Sequence, residues 1–336
     1  MTSDDAIATT TPTERARSGP TAPLVAEFSE RQGANIAVII LTCNESVHLP
    51  RALQHIRSFA REIFVIDSFS TDNTVELARD GGAQVLQHPF KYQAQQFQWA
   101  LNNAPITSDW VMRLDADEII EADLAHEIAT KLHILPPDVT GVNLNRKTIF
   151  QGRFIRFGGR YPLTLLRIWR RGRAQVEDRW MDEHIYLTEG HTTTFYGGFA
   201  DHSLYDLTTF TAKHNSYASR EALDALNRRL HVFESQVDLT QQSTSKQAKI
   251  KRFLKESFYY RLPFEVSALL YFLFRYVILL GFLDGREGLT YHFLQGFWYR
   301  FLVGTKMREL EQALKQATSE EEMHSTIARL SHQRLN

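Results

Sequence analysis

Short apolar segments alternate with helical patterns from residue 34 onward, and this alternation constrains the fold more than any other feature of the chain. Nearly continuous apolar runs are typical of strands that are buried on both faces. Four such runs lie at residues 36–41, 62–66, 83–86 and 109–114. Helical patterns follow them at residues 46–57, 71–80, 93–103 and 124–132. This order predicts an α/β fold with a doubly wound, mainly parallel sheet.

Polar side chains stand at the carboxyl ends of these predicted strands. Asn44 and Glu45 follow the first strand, Asp67 follows the second, and Asp115 and Asp117 follow the fourth. In open α/β sheets, ligands bind outside the carboxyl ends of the strands. The sequence therefore predicts a ligand site at this edge of the sheet.

Three acids lie close together after the fourth strand, at Asp115, Asp117 and Glu118. Alternation along a strand would direct Asp115 and Asp117 to the same side, although a turn after the strand would rotate them. Mg²⁺ and Mn²⁺ are held by one or two carboxylates together with substrate phosphates. The cluster is therefore a candidate cation site, and a solvated acidic turn is the alternative.

Composition narrows the function classes. The formal net charge of −1 gives no global case for nucleic-acid binding. The single cysteine, Cys43, excludes an internal disulfide framework and fits a reducing compartment. Residues 1–33 contain no apolar signal region and are expected to form a disordered tail. A nicotinamide-cofactor enzyme is disfavoured because no G-x-G-x-x-G follows the first strand.

The middle of the chain, residues 136–194, is less regular in pattern. Residues 146–176 contain nine Arg or Lys residues and no acid. Such a bias usually marks a solvated face, but it also suits an anionic partner such as a phosphorylated glycan or a membrane surface.

The last third of the chain changes character. Basic residues at 246–255 precede two apolar, aromatic runs at 264–283 and 289–303. The first run is long enough to span a bilayer, yet Arg275 lies near its middle, where a charge is costly in hydrocarbon. We therefore expect interfacial helices, or a re-entrant hairpin that turns at residues 284–288, with membrane contact over about residues 258–304. Buried helices of a soluble subdomain are the alternative.

Three motifs in order give a specific resemblance. The runs VIILTCNE (38–45), VIDSFSTDNT (65–74) and LDADE (114–118) resemble those of the family 2 glycosyltransferases, which are inverting enzymes with a GT-A fold and nucleotide-sugar donors. The likeness covers roughly residues 35–202. Cys43 departs from a common Tyr of the family pattern, and Phe69 departs from a common Gly.

Later segments resemble one bacterial branch of this family, that of the lipopolysaccharide-core β-1,4-glucosyltransferases and related envelope-polysaccharide enzymes. The segments are WMDEH (180–184), ADH (200–202), FLDG (282–285) and LQGFWYR (294–300).

The resemblance implies a role for individual residues of the donor site. Asp67 would accept the imide N–H of uracil, although it could instead begin a turn and cap the next helix. Asn44 and Glu45 would line the base and ribose pocket, and Lys91 would reach the donor unless it is a solvated surface lysine. The full predicted donor-binding set is Thr42, Asn44, Glu45, Asp67, Lys91, Arg113 and Asp115.

The resemblance also implies a divalent cation, Mg²⁺ or Mn²⁺, bound by Asp117 and Asp115. His202 would complete the metal shell or contact the diphosphate, although a lone histidine is usually structural. Inversion requires a base that takes the proton of the acceptor hydroxyl. Glu183 is the preferred candidate and Asp182 is the second, unless both acids only pair with nearby arginines.

The sequence thus predicts a disordered tail (1–33), a GT-A catalytic domain (34–205, with a donor half at 34–135 and an acceptor half at 136–205) and a helical C-terminal region (206–336). The predicted activity is metal-dependent, inverting transfer of a sugar, from a UDP-sugar, to a lipid-linked or lipopolysaccharide-type acceptor at the cytoplasmic face of a bacterial inner membrane. Two alternatives remain open: a metal-dependent phosphatase of the haloacid-dehalogenase type, and a non-catalytic membrane-bound scaffold that binds nucleotide.

Overall fold

A computed structural model of the chain describes residues 34–177, 184–230 and 262–316, together with residues 319, 322 and 325–327. The predicted tail, the basic segment at 246–255 and the two candidate base residues, Asp182 and Glu183, lie outside the described residues.

Strands of the described residues form one nine-stranded sheet and a separate two-stranded hairpin. The large sheet contains β1 (Ile36–Thr42), β2 (Glu62–Asp67), β3 (Gln84–Gln87), β4 (Trp110–Asp115), β5 (Glu118–Ile120), β6 (Val139–Phe150), β7 (Arg153–Ile155), β8 (Leu163–Arg170) and β11 (His191–His202). The hairpin contains β9 (Ala174–Val176) and β10 (Ile185–Leu187). The order in the sheet is β3-β2-β1-β4-β8-β6-β11-β5, and β7 pairs with β6.

Helices cover both faces of the sheet and form the C-terminal region. They are α1 (Leu49–Ile56), α2 (Thr74–Asp80), α3 (Gln93–Asn103), α4 (Ala122–Lys131), α5 (Leu207–Leu230), α6 (Phe264–Leu273), α7 (Gly285–His292) and α8 (Tyr299–Leu314). Alternate residues of β1 enter two different apolar clusters, since Val38 packs with Leu53 of α1 on one face while Ile39 packs with Phe97 of α3 on the other. This two-sided burial is the physical reason for the continuous apolar runs in the sequence.

The predicted α/β fold class is confirmed. Strands β1 to β4 pair in parallel, as predicted, and the C-terminal region is helical. The second half of the sheet is mixed, because β8 runs antiparallel to both β4 and β6 while β11 is parallel to β6.

Two helices begin later than the sequence pattern predicted. Helix α1 begins at Leu49 and not at residue 46, because Pro50 has no N–H and therefore fits only in the first turn. Helix α2 begins at Thr74 and not at residue 71. Thr71 does not cap it: the Thr71 N–H donates to Asn44 Oδ1, and the Asp72 carboxylate accepts the N–H of Thr74 instead.

The sequence pattern did not predict the regular strands of the middle region. Residues 139–150 and 163–170 form two long strands of the central sheet, β6 and β8. Many of their cations are paired with acids that lie elsewhere in the sequence: Arg146 and Arg167 with Glu118, and Lys147 with Glu121. Part of this positive charge is therefore compensated within the protein.

The C-terminal region is a bent helical hairpin, formed by residues 264–314. Helix α6 continues as a π-helical segment (Phe274–Ile278), and the chain then reverses at Leu280, whose φ of 59° is left-handed. A 3₁₀ turn (Gly281–Asp284), α7, a second π-helical segment (Phe293–Trp298) and α8 follow. No helix of the described residues is by itself long and apolar enough to cross a bilayer; the two arms, bent by 73°, meet the length and composition criteria only together.

Asp284 fixes this hairpin to the catalytic sheet. Its buried carboxylate accepts the backbone N–H groups of Arg156 and Phe157, each at 3.0 Å, in the loop between β7 and β8. Hydrogen bonds from buried groups to a carboxylate are strong, so the hairpin and the loop form one unit.

The side chain of Arg275 is buried within the protein, whereas the sequence alone indicated a charge that would be costly in the hydrocarbon of a membrane. Its side chain is only 4% exposed, and Nε donates to the carbonyl of Gly158 at 2.9 Å. Its guanidinium also lies over the rings of Tyr271 and Tyr291. Arg275 therefore contributes to docking of the hairpin against the loop between β7 and β8.

Gly158→Ala should destabilise the contact between the hairpin and the loop after β7. A Cβ at Gly158, where φ is +65°, would collide with the buried His292 ring, whereas a Cβ at Gly152 (φ +77°) meets nothing within 4 Å. We expect Gly158→Ala to lower the free energy of unfolding by about 2–4 kcal/mol, and the control Gly152→Ala by only about 1 kcal/mol from backbone strain. Urea unfolding of both variants measures this, and equal losses would contradict the interface as described.

Candidate active site

The carboxyl ends of the parallel strands meet at one edge, as predicted. In the strand register, Thr42 of β1 lies beside Asp67 of β2, Asp67 lies beside Gln87 of β3, and Leu41 lies beside Asp115 of β4. The predicted donor residues Thr42, Asp67 and Asp115 are thereby brought together. Lys91 is exposed in the loop before α3.

Asp67 is fully buried and already has several protein donors. Its Oδ1 accepts the Thr42 hydroxyl at 3.1 Å, and its Oδ2 accepts the N–H of Ser70 at 2.9 Å and Gln87 Nε2 at 3.2 Å. The carboxylate therefore ties the ends of β1, β2 and β3 together. Its predicted contact with a uracil imide stays a prediction, and it would require one of these donors to give way.

Two left-handed residues shape the loops above Asp67. Asn44 and Phe69 both have a φ of 57°. The Asn44 N–H donates to Ser70 Oγ at 2.8 Å, and Asn44 Oδ1 accepts the Thr71 N–H at 2.8 Å, so the loops after β1 and β2 are joined. The conformation at Phe69 is one that glycine adopts most easily, which explains the common Gly of the family pattern at this position.

Glu45 holds a buried histidine. Its carboxylate lies 2.6 Å from Nδ1 of His48, and Nε2 of His48 accepts the backbone N–H of Leu204 at 2.8 Å. Because Nε2 accepts, the ring proton is on Nδ1 and is donated to Glu45. Glu45 thus fixes the chain after β11 against α1 and lies at the site edge with one oxygen engaged.

The three acids after β4 divide into two groups. Asp115 is paired with Arg113 and Arg167, each at 3.3 Å. Although burial opposes its charge, Arg113 and Arg167 lower the pKa of Asp115 well below its usual range. Glu118 is 1% exposed and lies between Arg167 (2.5 Å) and Arg146 (3.4 Å). Both acids are thus paired with arginines of the protein, although burial raises the pKa of Glu118 to about 7.

Asp117 remains as the acid without a neutralising partner. Among the residues that the structure describes, none forms a hydrogen bond or ion pair with its carboxylate. Partial burial and the negative charges of Asp201 and Asp115 raise its pKa to about 6, and only Lys213 acts in the opposite direction among the principal influences. Asp117 lies in the turn between β4 and β5.

The donor chemistry of this pocket fits a divalent cation held jointly with phosphate. The described residues contain no group of three or more His, Cys, Asp or Glu side chains arranged as a metal cage. Mg²⁺ needs no such cage, since it commonly uses one or two carboxylates and substrate phosphates. Asp117 supplies negative charge that no described residue pairs with, whereas Asp115 is held by arginines and the nearby Asp201 by Arg146.

His202 lies beside Asp117, since its backbone N–H donates to the Asp117 carbonyl at 3.0 Å. Arg51 lies 3.4 Å from Nδ1 of His202. Burial and the Arg51 charge lower the pKa of His202. Because Arg51 can only donate, Nδ1 accepts and the ring proton is on Nε2. A neutral ring in this state can donate to a phosphate oxygen, which favours the diphosphate contact over the metal-ligand role among the two predicted.

Several residues of this site were missed by sequence reasoning. Arg146 and Arg167 lay in the basic stretch without any visible partner, and Asp201 precedes the predicted His202. Lys213 belongs to α5, beyond the motifs. Although burial opposes the charge of Lys213, Tyr217, Asp117 and Glu45 raise its pKa. Only the basic stretch gave a usable signal, because nine cations without local acids require partners elsewhere.

A family model describes most of this region. The model of glycosyl transferase family 2 matches residues 37–226, more than half of the chain, and the chain therefore belongs to this family. The match extends past the motifs into α5. The predicted family is confirmed, and with it the assignment as a glycosyltransferase.

Individual relatives are similar over shorter stretches. An uncharacterized glycosyltransferase of Rickettsia prowazekii is 37% identical over 93 residues, which are 28% of this chain and 31% of the relative. The glycosyltransferase SunS from the SPbeta prophage of Bacillus subtilis is 29% identical over 116 residues, 33% of this chain and 27% of the relative. The chain thus spans about a third of the length of these curated relatives.

Solved structures show a distant likeness. The mannosyltransferase PcManGT of Pyrobaculum calidifontis, in complex with GDP-Man and Mn²⁺, has a TM-score of 0.47 at 15% identity, over 82% of this chain and 87% of that chain. Glucosyl-3-phosphoglycerate synthase of Mycobacterium tuberculosis, with Mn²⁺, UDP and phosphoglyceric acid, has a TM-score of 0.28 at 21% identity, over 34% of this chain and 44% of that chain.

Asp117→Asn should stabilise the metal-free protein. Since folding raises the pKa of Asp117 to about 6, above its value in the unfolded chain, the carboxyl destabilises the fold increasingly as pH rises from the unfolded-state pKa to about 6, and by a constant amount above that. In chelator at about pH 7.5, we expect the variant to gain about 1–2 kcal/mol in the free energy of unfolding. The gain should vanish near about pH 3, below the pKa of the carboxyl in both the folded and the unfolded state.

Urea unfolding at the two pH values measures this difference. Glu309→Gln is the matched control, because Glu309 is an exposed carboxylate on α8 and its loss should change stability little at either pH. A variant less stable than the wild type in chelator at about pH 7.5 would contradict the uncompensated charge at Asp117.

Proposed function

We propose that this protein is a metal-dependent, inverting glycosyltransferase that transfers a sugar from a nucleotide-sugar donor, a UDP-sugar by preference, to a lipid-linked or lipopolysaccharide-type acceptor. One observation carries the proposal: Asp117 stays unneutralised at the strand-end edge while Asp115 and Glu118 beside it are paired with arginines. A family 2 chain that keeps one carboxylate free in this position has the feature that a cation–diphosphate complex needs.

Asp117, with Asp115 beside it, would hold the divalent cation. When bound, a hard divalent cation supplies charge that offsets the negative charge developing on a departing nucleoside diphosphate. The chain's own groups extend this effect, since the cation of Lys213 lies near Asp117 and the neutral His202 ring can donate a hydrogen bond. The donor nucleoside would lie over the ends of β1 and β2, near Asn44, Glu45 and Asp67.

The transfer also requires a base for the acceptor hydroxyl. We assign this role to Glu183, with Asp182 as the alternative, from their position in the acidic motif. Both acids lie directly before His184, whose backbone carbonyl accepts the N–H of Glu177 where the connecting loop of the β9–β10 hairpin begins.

A lipid-linked acceptor agrees with the surface of the C-terminal hairpin. Many large apolar side chains of this hairpin are exposed, although a soluble helical subdomain would bury them. They include Leu270, Phe274, Val277, Ile278, Phe282 and Leu283, each more than 40% exposed. We assign this surface to contact with the bilayer interface, without a full crossing, at the cytoplasmic face of a bacterial inner membrane.

A screen of nucleotide sugars tests the activity. We expect the full chain to hydrolyse one UDP-sugar slowly with Mn²⁺ or Mg²⁺, and to lose that activity in chelator or in the Asp117→Asn variant. Binding of UDP and Mn²⁺ without any turnover would favour the scaffold alternative. Trapping of a phosphorylated aspartate would favour the phosphatase alternative.

The same assay with an acceptor tests the base. Glu183→Gln should lower the transfer rate by about 100-fold or more while donor binding, measured by calorimetry, is unchanged. Asp182→Asn is the matched comparison and should be affected less. Full transfer in both variants would remove the base from this segment.

Vesicle co-sedimentation tests the membrane surface. Replacement of Ile278, which is 66% exposed, by Glu should weaken binding of the full chain to vesicles that contain anionic phospholipid, because an interfacial site does not accept the charge. Ile134→Glu is the control, since Ile134 is 69% exposed but follows α4 on the catalytic domain. Equal binding by the wild type and both variants would contradict this assignment.

A further inference from the structure

Phe69 has a strained backbone conformation and an apolar side chain that is exposed to solvent. Its φ of 57° lies in the left-handed region, which bulky residues rarely adopt. The residue is 55% exposed, so packing against the rest of the chain contributes little stabilisation in return. Strained residues cluster at ligand sites, and an exposed, strained aromatic indicates a contact that the chain alone does not make.

Hydrogen bonds on both sides hold Phe69 in this conformation. The N–H of Ser68 donates to the Thr42 carbonyl at 2.9 Å. The N–H of Ser70 donates to the Asp67 carboxylate at 2.9 Å, and the N–H of Thr71 donates to Asn44 Oδ1 at 2.8 Å. The backbone geometry is therefore set by neighbours, and the ring of Phe69 is presented at the apex of a rigid loop.

The distance between this loop and Asp117 matches the length of a nucleotide. Phe69 follows the end of β2, and Asp117 follows the end of β4, with β1 between these two strands. Two strand spacings separate the two ends by about 10 Å. A nucleoside diphosphate has this length scale, so a diphosphate near Asp117 would bring its base to the side of β2. Aromatic faces bind bases by stacking, whichever base is present.

We propose that Phe69 is the stacking platform for the nucleobase of the donor. The proposal rests on the proposed function and adds to it a specificity-determining contact: the ring binds the flat face of the base, and the polar groups of the neighbouring loops remain for its edge. It also explains why the loop keeps a strained aromatic where glycine would fold more easily.

Calorimetry on the full chain with Mn²⁺ tests the platform, with UDP and GDP as nucleotides and inorganic pyrophosphate as a ligand without a base. Phe69→Gly should raise the melting temperature by several degrees, since strain is removed, yet weaken nucleotide binding by about 10- to 100-fold. Pyrophosphate binding should not change. Phe69→Tyr should bind nucleotide as the wild type does, because the aromatic face is kept.

Gln151→Gly is the matched control. Gln151 also has a positive φ, of 49°, but lies in the turn between β6 and β7. Its replacement should stabilise the fold without any effect on nucleotide binding.

These measurements distinguish failure of the proposed function from failure of the stacking platform. A wild type that binds none of the nucleotides overturns the proposed function, and the platform with it. A wild type that binds, with Phe69→Gly binding equally well, overturns the platform alone. Equal losses for nucleotide and pyrophosphate also overturn it, because the loop and not the base contact would then be responsible.

Discussion

Neutralisation of carboxylates at the sheet edge is the interaction on which the rest of this structure depends. Glu118 is buried and paired with Arg167, which also contacts Asp115, and Arg146 joins Glu118 to Asp201. An unpaired buried charge would cost several kcal/mol, so each arginine must stay in place once its acid is buried. The network thereby connects β4 and β5 with β6, β8 and β11, and it unites the parallel and mixed halves of the sheet.

This network also produces the asymmetry of the site. Asp115 and Glu118 have arginine partners, and Asp117 has none among the described residues, although the three lie within four positions of the chain. A pocket with one free carboxylate, near Asp201 and Lys213, suits a ligand that brings its own cation and anion together. The C-terminal hairpin is attached to this frame through Asp284, so its exposed apolar face has a fixed relation to the sheet.

Much of the structure of residues 34–135 could be predicted because its signals are local. Buried parallel strands require apolar runs, and these gave the four strands to within about one or two residues, with α3 correct at both ends. The predicted residues Thr42, Asp67 and Asp115 meet at one edge for the same reason. Strands β6 and β8 were missed because their polar and basic residues are neutralised by distant acids, which no local pattern reveals.

The sequence by itself determined the order of the α/β elements, the family and the residues at the strand ends, since these follow from apolar periodicity and short motifs. Only the tertiary structure decided which acids are neutralised, the tautomer of His48, the inward direction of Arg275 and the strain at Phe69. The reason is physical: the state of a charge or a backbone depends on the groups that surround it in space, and most of those groups are far away along the chain.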